Sequence, residues 1–123
     1  MSRVMVVDDD EAVRLLFREE LEADGYEVDL VRDARGLAGR IRASHPDVLV
    51  LDLGLGETDG RDVLADLRES FPELPVVIWS GYDVPPSEAQ GLSAAYVVKS
   101  FDLTPLKRTI SQLLRQRPPA ATA

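Results

Sequence analysis

Short apolar runs rich in β-branched residues alternate with helical patterns five times along this chain. The runs are Val4–Val7, Glu27–Val31, Val48–Leu51, Val76–Trp79 and Ala95–Val98. Repeated alternation of strands and helices predicts a parallel sheet with helices on both faces. We therefore expect an α/β fold, a doubly wound (βα)5 three-layer sandwich whose sheet has the strand order 2-1-3-4-5.

The ends of several helices are marked by residues with known positional preferences. Asp10 is the predicted N-cap of the first helix, which should end near Gly25 in a left-handed conformation. Thr104 is the predicted N-cap of the last helix, with Pro105 as its first residue. Between the fourth and fifth strands the helical pattern is weakest, so we expect a shortened fourth helix of only one or two turns.

The chain has 123 residues, of which 45% are apolar. This is enough for one compact domain with a sizeable core, and it leaves no room for a second catalytic or DNA-binding domain. We predict a single domain over residues 1–117 and a flexible tail over residues 118–123, which begins with two prolines.

The composition disfavours several function classes. With 22 acidic and 14 basic residues the net charge is -8, so neither direct nucleic-acid binding nor attraction to an anionic membrane is expected. The absence of cysteine excludes disulfides, thiol catalysis and a cysteine-based zinc site. No signal peptide or apolar run of roughly 20 residues is visible. These features predict a soluble cytoplasmic protein.

Polar residues follow four of the predicted strands. They are Asp8 and Asp9, Asp52, Ser80 and Lys99. Because the carboxyl ends of parallel strands meet at one edge of the sheet, we expect these side chains to lie together. Three neighbouring carboxylates repel one another unless a divalent cation neutralises them or one takes up a proton. Magnesium suits such an all-oxygen site better than zinc does.

This set of residues predicts phosphoryl transfer. With magnesium on one side and the ammonium of Lys99 on the other, the oxygens of a phosphoryl group could be held while Asp52 attacks in line. Ser80 could donate a hydrogen bond to one of those oxygens. The product would be an aspartyl phosphate.

The same motifs resemble the response-regulator receiver family of two-component signalling. The resemblance spans residues 3 to about 114, and all of its motifs occur in order at compatible spacing. They are Val6–Asp10, Pro46–Asp52, Asp59–Gly60, Ser80–Gly81 and Tyr96–Lys99. The resemblance implies a flavodoxin-like fold and a phosphoprotein that is a signalling domain, not a metabolic enzyme, and that catalyses only its own phosphorylation and dephosphorylation.

The resemblance also implies roles for individual residues. Asp52 would accept the phosphoryl group from a phosphohistidine on a histidine kinase or a histidine phosphotransfer protein. Asp9, Asp52 and the backbone carbonyl of Gly54 would bind Mg²⁺, and Asp8 would act mainly through water.

Phosphorylation would then act as a two-state switch. It would draw Ser80 toward the new oxygens and let Tyr96 turn inward, which changes the surface near the fifth strand. That surface would address an unknown downstream protein target, and we expect a monomer or a weak homodimer. Taken alone, Tyr96 could equally be a half-buried strand aromatic.

Three features depart from the family pattern. Ser100 follows Lys99, where the family usually has a proline preceded by a cis peptide bond, which makes the reach of Lys99 uncertain. Gly56 stands where the family commonly has proline, and together with Gly54 it suggests a looser phosphoacceptor loop. The interval from Ser80 to Lys99 is shorter than the family norm by about one helical turn.

These departures keep other functions open. One is a receiver-like binding module that keeps the acidic pocket and signals without phosphorylation. Another is an aspartyl-phosphate phosphatase, although Asp52–Leu53–Gly54 lacks the second carboxylate of the Asp-x-Asp motif such enzymes need.

Overall fold

The computed structural model describes residues 2–55, 58–81 and 95–116. Five strands form one parallel sheet. They are β1 (Arg3–Val7), β2 (Glu27–Val31), β3 (Val48–Asp52), β6 (Val76–Ser80) and β7 (Ala95–Val98). Their order in the sheet is β2-β1-β3-β6-β7. The doubly wound fold and its strand order are therefore as predicted, and each strand begins and ends within one residue of the expected position.

A small antiparallel hairpin was not predicted. It pairs β4 (Gly54–Leu55) with β5 (Thr58–Asp59), directly after the third strand of the main sheet. Its two-residue strands are too short to show any periodicity in the sequence. The hairpin links Asp52 to the helix that follows.

Four helices lie in the described ranges, and none of them is long and apolar enough to cross a membrane. They are α1 (Glu11–Ala23), α2 (Leu37–Ser44), α3 (Gly60–Ser70) and α4 (Thr104–Gln116). Asp10 caps α1 as predicted, because its carboxylate accepts the amides of Ala12 and Val13. Gly25 follows that helix with φ of 93° and confirms its predicted end.

The predicted cap of α4 was wrong. The helix already includes Thr104, and the carboxylate of Asp102 accepts the amide of Thr104 at 3.0 Å. An aspartate two residues ahead of an amide readily forms such a turn, so it can start the helix before Pro105. The expected short helix between the fourth and fifth strands, Gly56 and the tail at 118–123 lie outside the described residues.

The sheet separates two apolar layers. Successive strand side chains point to opposite faces, so Met5 and Val7 pack toward α2 and α3, while Val4 and Val6 pack toward α1 and α4. Trp79 belongs to the second layer, with its ring centroid 5.1 Å from that of Phe17 in an edge-to-face arrangement. Packing on both faces leaves the two ends of the strands as the places where polar side chains emerge.

Candidate functional site

The polar residues predicted from the sequence do meet at the carboxyl edge of the sheet. Asp8 follows β1, Asp52 ends β3, Ser80 ends β6 and Lys99 follows β7. Asp8, Asp52 and Ser80 are buried, and they are the polar side chains found buried in the described ranges. Asp9, next to Asp8, is exposed.

Three carboxylates and one ammonium form the centre of this site. One oxygen each from Asp8, Asp9 and Asp52 lies within 4.8 Å of the others. The Nζ of Lys99 lies 3.2 Å from Asp52 Oδ2 and 3.9 Å from Asp8 Oδ2. The arrangement is thus a negatively charged pocket with a single lysine reaching into it.

Lys99 reaches the pocket although Ser100 follows it. Its backbone amide donates to the carbonyl of Ser80 at 2.6 Å, which continues the pairing of β6 and β7 by one residue. The described residues contain no cis peptide bond, so the Lys99–Ser100 bond is trans. The sheet itself therefore directs this side chain toward the carboxylates.

Asp8 is the least satisfied group in the site. Its Oδ1 accepts the amide of Asp10 at 2.9 Å, but its buried Oδ2 has no hydrogen-bond partner among the described residues. Burial raises the pKa of Asp8, and the negative charges of Asp52 and Asp9 add to this, whereas the Asp10 amide and Lys99 act in the opposite direction. An all-oxygen donor set that includes a buried carboxylate oxygen without a hydrogen bond fits a hard divalent cation such as Mg²⁺.

The loop after Asp52 is held closely against the start of α3. Asp52 Oδ1 accepts the amide of Gly54 at 3.0 Å, and the carbonyl of Leu53 accepts the amide of Gly60 at 3.1 Å. A Cβ on Gly60 would lie only 2.5 Å from the Cα of Leu53. Only glycine permits this approach. The Asp59–Gly60 motif indicated this position, but the sequence alone does not show the close contact with Leu53 that requires glycine.

Gly54 and the two proposed switch residues have defined places near this site. Gly54 is exposed within the β4–β5 hairpin, and its role as a carbonyl ligand stays a prediction. Ser80 is paired in register with Val98. Tyr96 is half-buried against the apolar layer beneath α2 and α3, so its packing is observed while its switch role stays a prediction.

Arg14 is a residue at this edge that the sequence did not point out. It lies on the first turns of α1, and its Nη1 donates to the backbone carbonyl of Asp8 at 2.7 Å. Its position one turn after the Asp10 cap is the only signal in the sequence that could have placed it beside the acidic residues.

Comparison with known proteins gives this fold and site a family. The fold and the site, a doubly wound sheet with an acidic cluster and a lysine at its carboxyl edge, have the form expected from the receiver motifs in the sequence. The profile of the response regulator receiver domain matches residues 4–111. The chain belongs to the response regulator receiver domain family of two-component systems.

A curated relative shows how much of a longer protein this chain represents. The response regulator MprA of Mycolicibacterium vanbaalenii is 36% identical over 120 residues, which are 95% of this chain and 52% of that protein. The chain therefore spans about half the length of the relatives it matches.

Solved structures agree with the fold. The response regulator TrrA from Thermotoga maritima, in complex with Mg²⁺ and BeF, has a TM-score of 0.83 and 29% identity over 92% of this chain and 99% of that one. A complex of the histidine kinase ThkA with TrrA contains a chain with a TM-score of 0.85 and 28% identity, covering 93% of this chain and 99% of that one.

Proposed function

We propose that Asp52 accepts a phosphoryl group in a Mg²⁺-dependent reaction and that the domain signals by a conformational switch. The observation that carries this proposal is the ion pair between Lys99 Nζ and Asp52 Oδ2, 3.2 Å long, inside a cluster of three carboxylates. Carboxylates are normally exposed, so two buried ones, Asp8 and Asp52, beside a third carboxylate and a lysine are a candidate site for ligand binding.

Asp8, Asp9, Asp52 and the carbonyl of Gly54 would hold the magnesium ion. When bound, Mg²⁺ would offset the charge of the carboxylates and of the phosphoryl oxygens. The TrrA structure with Mg²⁺ and BeF supports this choice of cation. In this chain, the buried Oδ2 of Asp8, which has no hydrogen bond among the described residues, agrees with it.

The protein's own groups account for the transfer. An oxygen of the Asp52 carboxylate attacks the phosphorus of a phosphohistidine, and the P–N bond breaks with its electron pair remaining on the imidazole nitrogen. The ammonium of Lys99 faces the phosphoryl oxygens, and the hydroxyl of Ser80 donates to one of them. Attack of water on the same phosphorus later releases phosphate and restores the carboxylate.

Phosphorylation of Asp52, which adds negative charge at this edge, also drives the proposed switch. Ser80 moves toward the phosphoryl oxygens, and Tyr96, now half-buried, turns further into the space that opens. The two residues lie on the neighbouring strands β6 and β7, where Tyr96 is in register with Ile78, two residues before Ser80. The altered surface around β7 would be what a downstream protein recognises.

We also propose a histidine kinase or a histidine phosphotransfer protein as the phosphodonor. The ThkA–TrrA complex, a kinase bound to a similar receiver, supports this class of partner. Three large apolar side chains are exposed in the described ranges: Val98 and Phe101, which flank Lys99 in the chain, and Leu15 on α1. Exposed apolar side chains beside a reactive site favour a protein contact there.

The competing function is a receiver-like binding module that signals without phosphorylation. One argument for it was the serine after Lys99, which put the reach of the lysine in doubt. The contact between Lys99 and Asp52 removes that argument and favours the phosphoacceptor. Adding beryllofluoride to the Mg²⁺-loaded protein separates the two, because only a phosphoacceptor should change its Trp79 fluorescence in response.

The proposed function is tested by intact-mass spectrometry after incubation with acetyl phosphate. We expect the mass to rise by one phosphoryl group when MgCl₂ is present, and not when the divalent cation is chelated. Asp52→Ala should abolish the gain, while Asp47→Ala, at the opposite edge of the sheet, should retain it. No gain in the wild-type protein would refute the proposal.

A further inference from the structure

The backbone of Asp8 is held by two different elements. Its amide donates to the carbonyl of Val31 at 3.0 Å, which continues the pairing of β1 with β2. Its carbonyl lies beyond the last residue of β1, where the sheet no longer supplies a donor, and the guanidinium of Arg14 takes that place at 2.7 Å. A buried or half-buried carbonyl needs such a donor, and here a charged side chain of α1 provides it.

This carbonyl matters because of the peptide to which it belongs. The carbonyl of Asp8 and the amide of Asp9 lie in one rigid plane, so the direction of the carbonyl sets the N–Cα axis of Asp9, about which its Cα–Cβ bond turns. The Asp9 side chain is exposed, so packing does not hold it in place. The bond from Arg14 therefore acts on the carboxylate that is least constrained by the rest of the fold.

Two further bonds make this turn a closed unit. The amide of Asp10 donates to Asp8 Oδ1 at 2.9 Å, and the amide of Arg14 donates to the carbonyl of Asp10 at 3.0 Å. The acidic turn and the first turn of α1 are thus connected by both backbone and side chain. A change in the Arg14 side chain would remove only one of these connections and leave the helix intact.

We propose that Arg14 is a positioning residue that turns the Asp8–Asp9 peptide so that both carboxylates face Asp52. This inference rests on the proposed magnesium site. It also predicts a change in Mg²⁺ affinity, on removal of Arg14, that is opposite in sign to the change expected from charge alone. As a positive charge near the pocket, Arg14 repels a cation, so removing it should tighten Mg²⁺ binding if charge were its only effect. If Arg14 positions the ligands, removing it weakens binding.

The test is an NMR titration of the metal-free chain with MgCl₂, following backbone amide shifts. Arg14→Met keeps the length of the side chain and removes its donors, and we expect its dissociation constant for Mg²⁺ to rise about tenfold. Arg14→Lys, which keeps a charged donor, should recover part of that loss. Arg18→Met is the control, because Arg18 is exposed one turn further along the same helix.

Urea unfolding of the metal-free variants shows whether either substitution changes the stability of the fold. We expect Arg14→Met and Arg18→Met to unfold at similar urea concentrations. Binding by Arg14→Met that equals or exceeds that of the wild type overturns the inference. An equal loss in Arg18→Met, or no recovery in Arg14→Lys, overturns it as well. If the wild-type chain binds no Mg²⁺, the proposed function fails and this inference fails with it.

Discussion

Both edges of the parallel sheet carry clusters of charged residues, and the two clusters differ in burial and in pairing. At the amino edge, Arg3 donates to Glu27 Oε2 at 2.8 Å and to the carbonyl of Ser44 at 3.0 Å, while its amide donates to Asp47 at 2.8 Å. The hydroxyl of Ser44 in turn donates to Asp29. All of these groups are partly exposed and have partners within the chain.

At the carboxyl edge, the carboxylates of Asp8 and Asp52 are buried, while Asp9 and Lys99 reach solvent. Asp8 has an oxygen without a hydrogen bond among the described residues, and one lysine faces both Asp8 and Asp52. Burying a carboxylate that is not fully hydrogen-bonded costs stability. The amino-edge groups thus have partners within the chain, whereas the carboxyl edge is where we propose that a ligand binds.

The largest effect should come from removing one aspartate at each edge. We expect Asp8→Asn to weaken Mg²⁺ binding about a hundredfold, because it removes a charge from the proposed ligand set. Asp47→Asn should leave the affinity for Mg²⁺ unchanged. Magnesium titrations of both variants, followed by amide NMR shifts, measure this. Similar losses in both would show that overall charge, and not the pocket, governs cation binding.

The next effect concerns the backbone contact that supports the carboxyl edge. Gly60→Ala would place a Cβ 2.5 Å from the Cα of Leu53, and overpacking of this kind costs about 1–3 kcal/mol of unfolding free energy. Gly39→Ala is a matched control, since its Cβ would meet no atom within 4 Å. In α2 it should stabilise the fold by about 0.5–1 kcal/mol. Urea unfolding of the two variants should thus give opposite signs, and a neutral Gly60→Ala would contradict the account.

A smaller effect is expected from the pH dependence of the metal-free protein. Because the pKa of Asp8 is raised in the folded state, the folded chain keeps this proton at pH values where the unfolded chain has lost it. Ionisation of Asp8 therefore destabilises the fold as pH rises above the ordinary aspartate pKa. Asp8→Asn should be more stable than the wild type at neutral pH, and the difference should shrink on acidification. Thermal unfolding without metal checks this, and a pH-independent difference would contradict it.

The smallest effect should follow from loss of the amino-edge network. Arg3→Met removes the hydrogen bonds to Glu27 and Ser44, but the arginine is partly exposed and water can replace its partners. We expect a slight fall in the unfolding midpoint, smaller than that of Gly60→Ala, with Mg²⁺ binding unchanged. Calorimetry with and without MgCl₂ provides the measurement. A change in Mg²⁺ affinity would erase the distinction between the two edges.

The sequence predicted the sheet and the meeting point of its polar residues. Buried apolar runs fix where strands occur, and parallel strands bring the residues after them to one edge, which united Asp8, Asp52 and Lys99. The doubt about Lys99 arose from the residue that follows it. The structure resolves the doubt through the backbone bond to Ser80, a contact between residues far apart in the chain.

Contacts that depend on three-dimensional approach could not be predicted. The bond from Arg14 to the carbonyl of Asp8 requires knowing that this carbonyl has no partner in the sheet. The need for glycine at position 60 requires knowing how closely Leu53 passes. The hairpin of Gly54–Leu55 with Thr58–Asp59 was missed because such short strands have no recognisable pattern.

The central claim is that the carboxyl edge directs a phosphoryl group to Asp52. The most direct measurement is to phosphorylate the wild-type chain with acetyl phosphate and MgCl₂, reduce the acyl phosphate with borohydride, and locate the resulting homoserine by peptide mass spectrometry. We predict homoserine at position 52 alone. Homoserine in place of Asp8 or Asp9, or none anywhere in a chain that had gained the phosphoryl mass, would contradict the account.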